Sequence, residues 1–324
     1  MKKYLLGPLL VTASFSFALP ALAQSAANFP DKMIKIIVPI PPGGGFDTVA
    51  RLMAENLRKK WGQTVVVENR PGAASNLGAE TAFRATPDGY TLLFTPPAPL
   101  VINKSVYPKL SYDPDAFVPV TVIAMAPNVL MVHPKVQANS VQQLIALAKE
   151  NPGKLNYASG GSGATPHLTA EWFKLASSTQ ITHVPYKGNV NAHLGLLQGQ
   201  VDMMFGELSS ALPVIRAGTA KALAVGSEKR SPFLPDVPTM AEVLPGFVSM
   251  SWLGVVAPPG TPPAIASKIS LAIAEILKQP DIAKQLHNMS FEAVGSAPTE
   301  MTRFLKLEID RWGEVIRVTK PAVE

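Results

Sequence analysis

The chain has 324 residues, 47% of them hydrophobic, and its 29 Lys and Arg against 23 Asp and Glu give a formal net charge of +6. That length exceeds what a single hydrophobic core fills, so two ordinary domains are expected. Cysteine is absent, which excludes disulfides, thiolate metal sites, a thiol nucleophile and a lipidated N-terminal cysteine.

Lys2 and Lys3 precede an apolar stretch over 4–19, and Pro20 with Ala21-Leu22-Ala23 then leads into Gln24. This order of charged, apolar and small residues predicts a secretory signal over 1–23, cleaved after Ala23. A membrane span needs about 20 consecutive apolar residues, whereas Gly7, Pro8 and Pro20 break this run. The mature chain is expected to be soluble and exported. It would carry 27 basic against 23 acidic side chains, a net +4 once Lys2 and Lys3 leave. Its one basic run, Arg58-Lys59-Lys60, ends a predicted helix, where cations suit the dipole, so no nucleic-acid surface is expected.

The β-branched run over 33–39, Met-Ile-Lys-Ile-Ile-Val-Pro, reads as a buried strand, with Pro41-Pro42-Gly43-Gly44-Gly45 as the flexible turn after it. Asp47 is expected to cap a helix over 48–61, with Val49, Leu52, Met53 and Leu57 on one face and Gly62 as its stop. A strand over 64–68, a helix over 74–85 and a strand over 90–94 follow. Next come a strand over 128–132, a helix over 141–150, a strand over 155–158 and a helix over 166–175. A helix over 192–197, strands over 200–205 and 222–225, and helices over 263–278 and 299–316 complete the pattern. Strands alternating with helices predict an α/β fold of mixed sheets flanked by helices.

Two segments read as crossings between domains. They are Ala124-Met125-Ala126-Pro127 and an aromatic strand over 249–259 that ends in Pro258-Pro259-Gly260. Leaving at the first and returning at the second gives an outer domain of 24–125 plus 250–324 and a middle domain of 126–249. Each crossing strand would be a hinge.

The block Ile36-Ile37-Val38-Pro39 with Pro42-Gly43-Gly44-Gly45-Phe46-Asp47-Thr48-Val49-Ala50-Arg51 resembles the opening of the Bug family, the substrate-binding proteins of tripartite tricarboxylate transporters. Val66-Val67-Glu68-Asn69-Arg70-Pro71-Gly72-Ala73 and Thr86-Pro87-Asp88-Gly89-Tyr90-Thr91-Leu92-Leu93 are similar to its next two blocks. So are Asn151-Pro152-Gly153-Lys154-Leu155, Val184-Pro185-Tyr186-Lys187-Gly188, Gly199-Gln200-Val201-Asp202, Leu234-Pro235-Asp236-Val237-Pro238-Thr239 and Ala257-Pro258-Pro259-Gly260-Thr261-Pro262. The likeness runs through the mature chain in order. It implies a two-domain periplasmic binding protein fold with a ligand cleft between the domains. It also implies small carboxylate ligands held through backbone amides and waters, and delivery to a membrane permease. No enzymatic activity and no cofactor are expected, and the protein is expected to act as a monomer. Phe46 and the Glu207 region vary within the family, so the resemblance does not carry the ligand's identity.

In open α/β sheets a ligand sits beyond the carboxyl ends of the strands, where loops and helix N-termini converge. The first such loop offers Gly44, Gly45, Phe46 and Asp47, with glycines permitting close backbone approach and free N–H groups at Asp47 to Val49 suiting a carboxylate. The second offers Ser159, Gly161, Ser162, Gly163 and Thr165, with Thr165 as expected N-cap and Pro166 as first helical residue. Thr95, Tyr186 and Glu207 complete the candidate set. Glu207, just past a predicted strand, is either an exposed loop acid or an unpaired carboxylate that tunes ligand choice. Phe46 either packs into the outer domain or walls the cleft. His167, in the first turn of its helix, reads as a structural hydrogen-bonder. His183 and His193 read as surface residues.

Neither loop has the Gly-Lys-Ser/Thr ending of a phosphate-binding P-loop. Gly160-Gly161-Ser162-Gly163-Ala164 comes within one residue of a hydrolase nucleophile elbow, so an α/β serine hydrolase with Ser162 as nucleophile, followed by Asp236 and His287, is the rival reading. The five histidines show no i, i+4 pairing, so no metal site is expected. The sequence lacks the repeats that would support a purely structural module.

Overall fold

The computed structural model describes residues 28–321, and the signal predicted over 1–23 lies outside the described residues. Three parallel strands open the fold, β1 (Ile34–Val38) lying between β2 (Val65–Asn69) and β3 (Thr91–Thr95). Ile34, Ile36, Ile37 and Val38 are all buried, as a parallel strand covered on both faces requires. Antiparallel β9 (Met250–Ala257) flanks β3, and β4 (Val118–Val132) flanks β9. A second set repeats the first: β5 (Asn156–Ser159) lies in parallel between β6 (Thr182–Pro185) and β7 (Met203–Glu207), and β7 runs antiparallel to β4. β8 (Lys221–Val225) and β10 (Glu292–Ala293) pair with opposite parts of β4. The strand order is therefore β2-β1-β3-β9-β4-β7-β5-β6.

β4 belongs to both halves. From Val118 to Pro127 it pairs with β9, and from Asn128 to Val132 it pairs with β7 and β8. The sequence pattern predicts its last five residues as strand and 124–127 as a crossing segment, and leaves the stretch around Pro119 unassigned; Pro119 and Pro127 both lack ladder donors. The strand accommodates them through irregular pairing, with register shifts next to Pro119 and again between Val122 and Ala124.

The helices are α1 (Gly45–Trp61), α2 (Asn76–Phe83), α3 (Ala98–Val101), α4 (Asn103–Val106), α5 (Val141–Glu150), α6 (Thr165–Ser177), α7 (Asn189–Leu197), α8 (Leu208–Arg216), α9 (Pro263–Leu277), α10 (Pro280–Asn288) and α11 (Pro298–Thr319). Local chemistry explains α1: Gly44 is its extended N-cap, Arg58, Lys59 and Lys60 occupy the negative end of its dipole, and Gly62 closes it at φ 67° with its N–H on the Arg58 carbonyl. Sequence periodicity misses α8 because Pro213 stands inside it.

Alternating side chains divide the core by face. On one side of the first sheet half Ile34, Ile36 and Leu92 meet Val49, Met53 and Leu57 of α1 and Ile269 and Ile273 of α9. On the other Ile37, Leu93 and Val256 meet Trp312 and Ile316 of α11. The second half has its own two layers, one around Leu144, Phe173, Phe205 and Phe247 and one around Leu196, Met204, Leu208 and Leu212. Four apolar layers on two sheet halves make the two-domain architecture that the sequence predicts.

A polar knot sits where β4 and the entry to β9 pass between the halves. The Asn128 amide donates to Ser249 Oγ at 2.8 Å, and Thr169 Oγ1 lies 2.7 Å from the same oxygen. Thr169 also donates to the Thr165 carbonyl at 2.8 Å, which ties the knot to the first turn of α6. All three side chains are buried.

Candidate functional site

Each half presents a strand–loop–helix corner at the carboxyl end of its central parallel strand, and the start of α7 lies against both, Gly188 at Pro41 of the first loop and Asn189 at Gly160 of the second. In the first, β1 leads through 39–44 into α1. The first helical hydrogen bond runs from the Thr48 amide to the Gly44 carbonyl, so the amides of Gly45, Phe46 and Asp47 precede the helix ladder. This corrects the expectation that Asp47 caps the helix and that the free amides begin there. Asp47 lies inside the first turn, nearly fully buried, and accepts from Gly43 N at 3.0 Å, Asn69 Nδ2 at 2.8 Å and Arg51 Nε at 3.0 Å. Burial alone would raise its pKa, but those hydrogen bonds outweigh burial and hold the carboxyl below the usual range. The carboxylate therefore staples the glycine loop to β2 and α1.

In the second corner β5 leads into α6, whose N-cap is Ala164 in extended conformation. Thr165 is the first helical residue and not the cap, since Pro166 suits the second position as well as the first. Ser159, fully buried at the end of β5, shapes the loop: its Oγ accepts from Gly161 N at 3.2 Å and lies 2.7 Å from His183 Nε2. Gly161 and Gly163 take φ 132° and 81°, which only glycine adopts without strain. The Gly163 amide donates to His167 Nδ1 at 3.0 Å. His167 thus is the structural hydrogen-bonder expected of it.

His183 is half-buried and His193 buried, so neither is the surface residue expected from the sequence. His183, on β6, stacks on His167 with ring centroids 4.2 Å apart and on Tyr157 at 4.8 Å, and His193 is buried against Gly206. Burial, with His183 adding to it for His167, depresses both His167 and His183 to about 4, so both rings are neutral at pH 7. Glu171 favours the charged form of both rings but is outweighed by burial.

The other candidates separate into those at the corners and those elsewhere. Thr95 ends β3, fully buried, with its hydroxyl on the Pro96 carbonyl at 3.0 Å. Gly44 and Ser162 are partly exposed on the two loops. Phe46 is 6% exposed and packs on Phe291 at 5.5 Å between ring centroids, which places it in the core of the first half instead of on a cleft wall. Tyr186 contributes backbone to the corner, its N–H on the Ser159 carbonyl at 2.9 Å. Its side chain turns away onto α7, with the hydroxyl 3.2 Å from Gln200 Oε1. Glu207 is neither exposed nor beyond the strand. It is the last residue of β7, buried, with both carboxylate oxygens accepting from Asn189 Nδ2 at 2.9 and 3.1 Å. Burial raises its pKa above the usual range.

Contacts between the halves bring further residues to the site. A Cβ on Gly45 would lie 2.8 Å from Ser209 Oγ, one on Gly188 3.5 Å from the Pro41 ring, and one on Gly163 3.8 Å from the Tyr107 hydroxyl. The N-termini of α7 and α8, entered at Gly188 and Glu207, therefore stand against the loop that opens α1. Asn189, Ser209 and Tyr107 escape the sequence reading; only the Gly188-Asn189 pair, a turn glycine before a polar residue, signals a helix start there. At the end of β2, Ala73, Ala74 and Ser75 all take positive φ (47°, 49° and 74°), a costly run for residues with a side chain, just before α2. The Asn103 amide holds the carbonyl of Ala74 at 3.0 Å.

Chemically the arrangement gathers helix N-termini and loop amides, a positive field that suits an anion. The described residues hold no cluster of three potential metal ligands. Among the described residues His167 serves Gly163, His183 lies against Ser159, and His287 on α10 packs at a tilt against Phe233 at 4.6 Å, so none of these three histidines is paired with Ser162. No helix of the described residues is long and apolar enough to cross a membrane.

Residues 49–320 match the model of the tripartite tricarboxylate transporter family receptor. Among solved structures, R. palustris Rpa4515 with adipate is 35% identical, spans 92% of this chain and all of its own, and superposes with a TM-score of 0.87. MatC (Rpa3494) from Rhodopseudomonas palustris with bound malate is 32% identical over 89% of this chain and 100% of its own, with a TM-score of 0.82. The periplasmic binding protein BugD is 31% identical over 91% of this chain and 100% of its own, with a TM-score of 0.84. The sequence blocks, the two strand–loop–helix corners and the match over 49–320 lead to one assignment: the chain belongs to the tripartite tricarboxylate transporter family of receptors, the Bug proteins among them.

Proposed function

We propose that this protein is an exported solute receptor that captures a small carboxylate between its two α/β halves and acts by binding alone. The observation that carries the reading is the meeting of α1, α6, α7 and α8 by their N-termini at one interface, where amides and hydroxyls supply the donors. Adipate in Rpa4515 and malate in MatC support the ligand class. Gly44, Gly45, Asp47, Thr95, Ser159, Gly161, Ser162, Gly163, Thr165 and Glu207 form the site in this reading, with Asp47 and Ser159 positioning loops. Phe46 and Tyr186 support it from behind.

The outer domain then comprises 24–125 and 250–324 and the middle domain 126–249, joined by β4 and β9. The signal over 1–23 directs export to the periplasm, the receptor works as a monomer, and a membrane permease of the tripartite type receives the ligand. A thermal-shift screen of mono-, di- and tricarboxylates, aromatic acids and acidic amino acids tests the reading. At least one compound is expected to raise the melting temperature by several degrees, because binding to the folded state alone stabilises it. A flat response across the panel contradicts it. Fluorophosphonate labelling tests the absence of catalysis, and stoichiometric modification of Ser162 would overturn it.

A further inference from the structure

Glu207 is a buried acid at the ligand interface with no cation beside it. The residue is 9% exposed, and no lysine, arginine or histidine forms an ion pair with its carboxyl group among the described residues. A carboxylate offers about four acceptor positions, and Asn189 Nδ2 is the side-chain donor that meets it. Asn189 in turn is fixed from both sides: its carbonyl accepts at 2.9 Å within the contact to His193 Nδ1, and its side chain lies against Gly160, where a Cβ would come within 2.1 Å of Oδ1. The acid is therefore held in place next to the second loop. Two residues further on, Ser209 touches Gly45 of the first loop. Glu207 thus stands at the junction of both loops, with acceptor positions to spare.

Asn189 binds the carboxylate without neutralising it, and the acid sits where the helix N-termini otherwise favour anions. Burying an acid without a cation costs stability, so its placement at this junction calls for a complementary donor. We propose that Glu207 is the specificity-determining residue of the site, and that the ligand is a carboxylate bearing a second group that donates a hydrogen bond to it, an ammonium or a hydroxyl. This rests on the carboxylate-receptor reading and narrows it. An unsubstituted diacid of the same length meets the amides equally well but leaves Glu207 without its donor.

Isothermal titration at pH 7.5 with matched series tests this: succinate, malate and aspartate, then glutarate, 2-hydroxyglutarate and glutamate. In the unaltered protein the best donor-bearing member of a series binds about tenfold or more tighter than the unsubstituted diacid, as a hydrogen bond to a charged group provides. In Glu207→Gln that ratio falls to about threefold or less, while Glu207→Asp, which keeps the charge, retains a preference. If the ammonium is the donor, aspartate or glutamate loses more affinity than the hydroxy acid in Glu207→Gln; if the hydroxyl, the hydroxy acid loses more. Equal affinities within each series, or a preference unchanged in Glu207→Gln, overturn the inference and leave the receptor reading standing. Failure of every carboxylate, in these series and in the thermal screen, overturns both. Should Glu207→Gln not fold, the ratio in the unaltered protein and its change in Glu207→Asp decide alone.

Discussion

Gly45 of the first half stands so close to Ser209 of the second that a Cβ on Gly45 would fall 2.8 Å from the Ser209 hydroxyl oxygen. The same Cβ would lie 3.2 Å from the Phe291 ring of its own half. Gly45 is helical and not at positive φ, so the constraint is space and not backbone strain. Gly45→Ala is therefore expected to fold but to weaken carboxylate binding by roughly three- to tenfold, since about 1 kcal/mol of misfit against Ser209 enters when the halves meet. Ser209→Ala in the same background should recover part of the loss. A titration of the single and double variants checks this, and additive losses would contradict it.

Asp47 organises the glycine loop through three hydrogen bonds. Asp47→Ala leaves the Gly43 amide and the Asn69 side chain without that acceptor in a buried place, a loss of about 2–3 kcal/mol in folding stability. Asp47→Asn keeps the shape and part of the acceptor capacity, so it should lose less. Urea unfolding of the two variants measures the difference.

Phe46 packs in the core against Phe291. Phe46→Ala should cost about 3–5 kcal/mol of stability, as truncation of a buried phenylalanine does. Binding, measured well below the lowered melting temperature, should change far less. A near-normal apo melting temperature with a large affinity loss would return Phe46 to the cleft wall.

The stacked histidines set the acid response. His167 and His183 titrate near 4 in the fold against the usual 6.5, and burial lowers His193 as well. Between those values the unfolded chain binds protons that the folded chain refuses. Stability is thus complete above about pH 6.5 and falls as the pH drops toward 4, at up to roughly 1.4 kcal/mol per unit for each such histidine, less for the partly solvated His183. Urea unfolding at pH 7, 6 and 5 should show the decline, and His183→Gln should flatten it. The Asp47 contribution has the opposite reference: it is present above the ordinary carboxylate pKa and lost only below it, so the two windows separate.

Much of this was legible in the residues. The run over 33–39 and the glycines after it specify a buried strand and a turn without needing distant partners, and β1 and α1 follow. The second corner was legible for the same reason. What escaped depended on the other half of the chain: Ser209 and Tyr107 reach the site only because the halves meet there, and no local period marks that. Prolines lie in both elements that were not fully assigned, Pro119 and Pro127 in β4 and Pro213 in α8. The histidine stack joins β5, β6 and α6, three separate elements, so His183 reads as a surface position although it packs on Tyr157 and His167.

In the proposed receptor one carboxylate engages both corners at once. Hydrogen exchange of the backbone amides, with and without the most stabilising carboxylate of the thermal screen, tests it most directly. Added protection is expected in both 43–48 and 161–167 at the same ligand occupancy. Protection confined to one loop, or appearing only elsewhere in the chain, would contradict it.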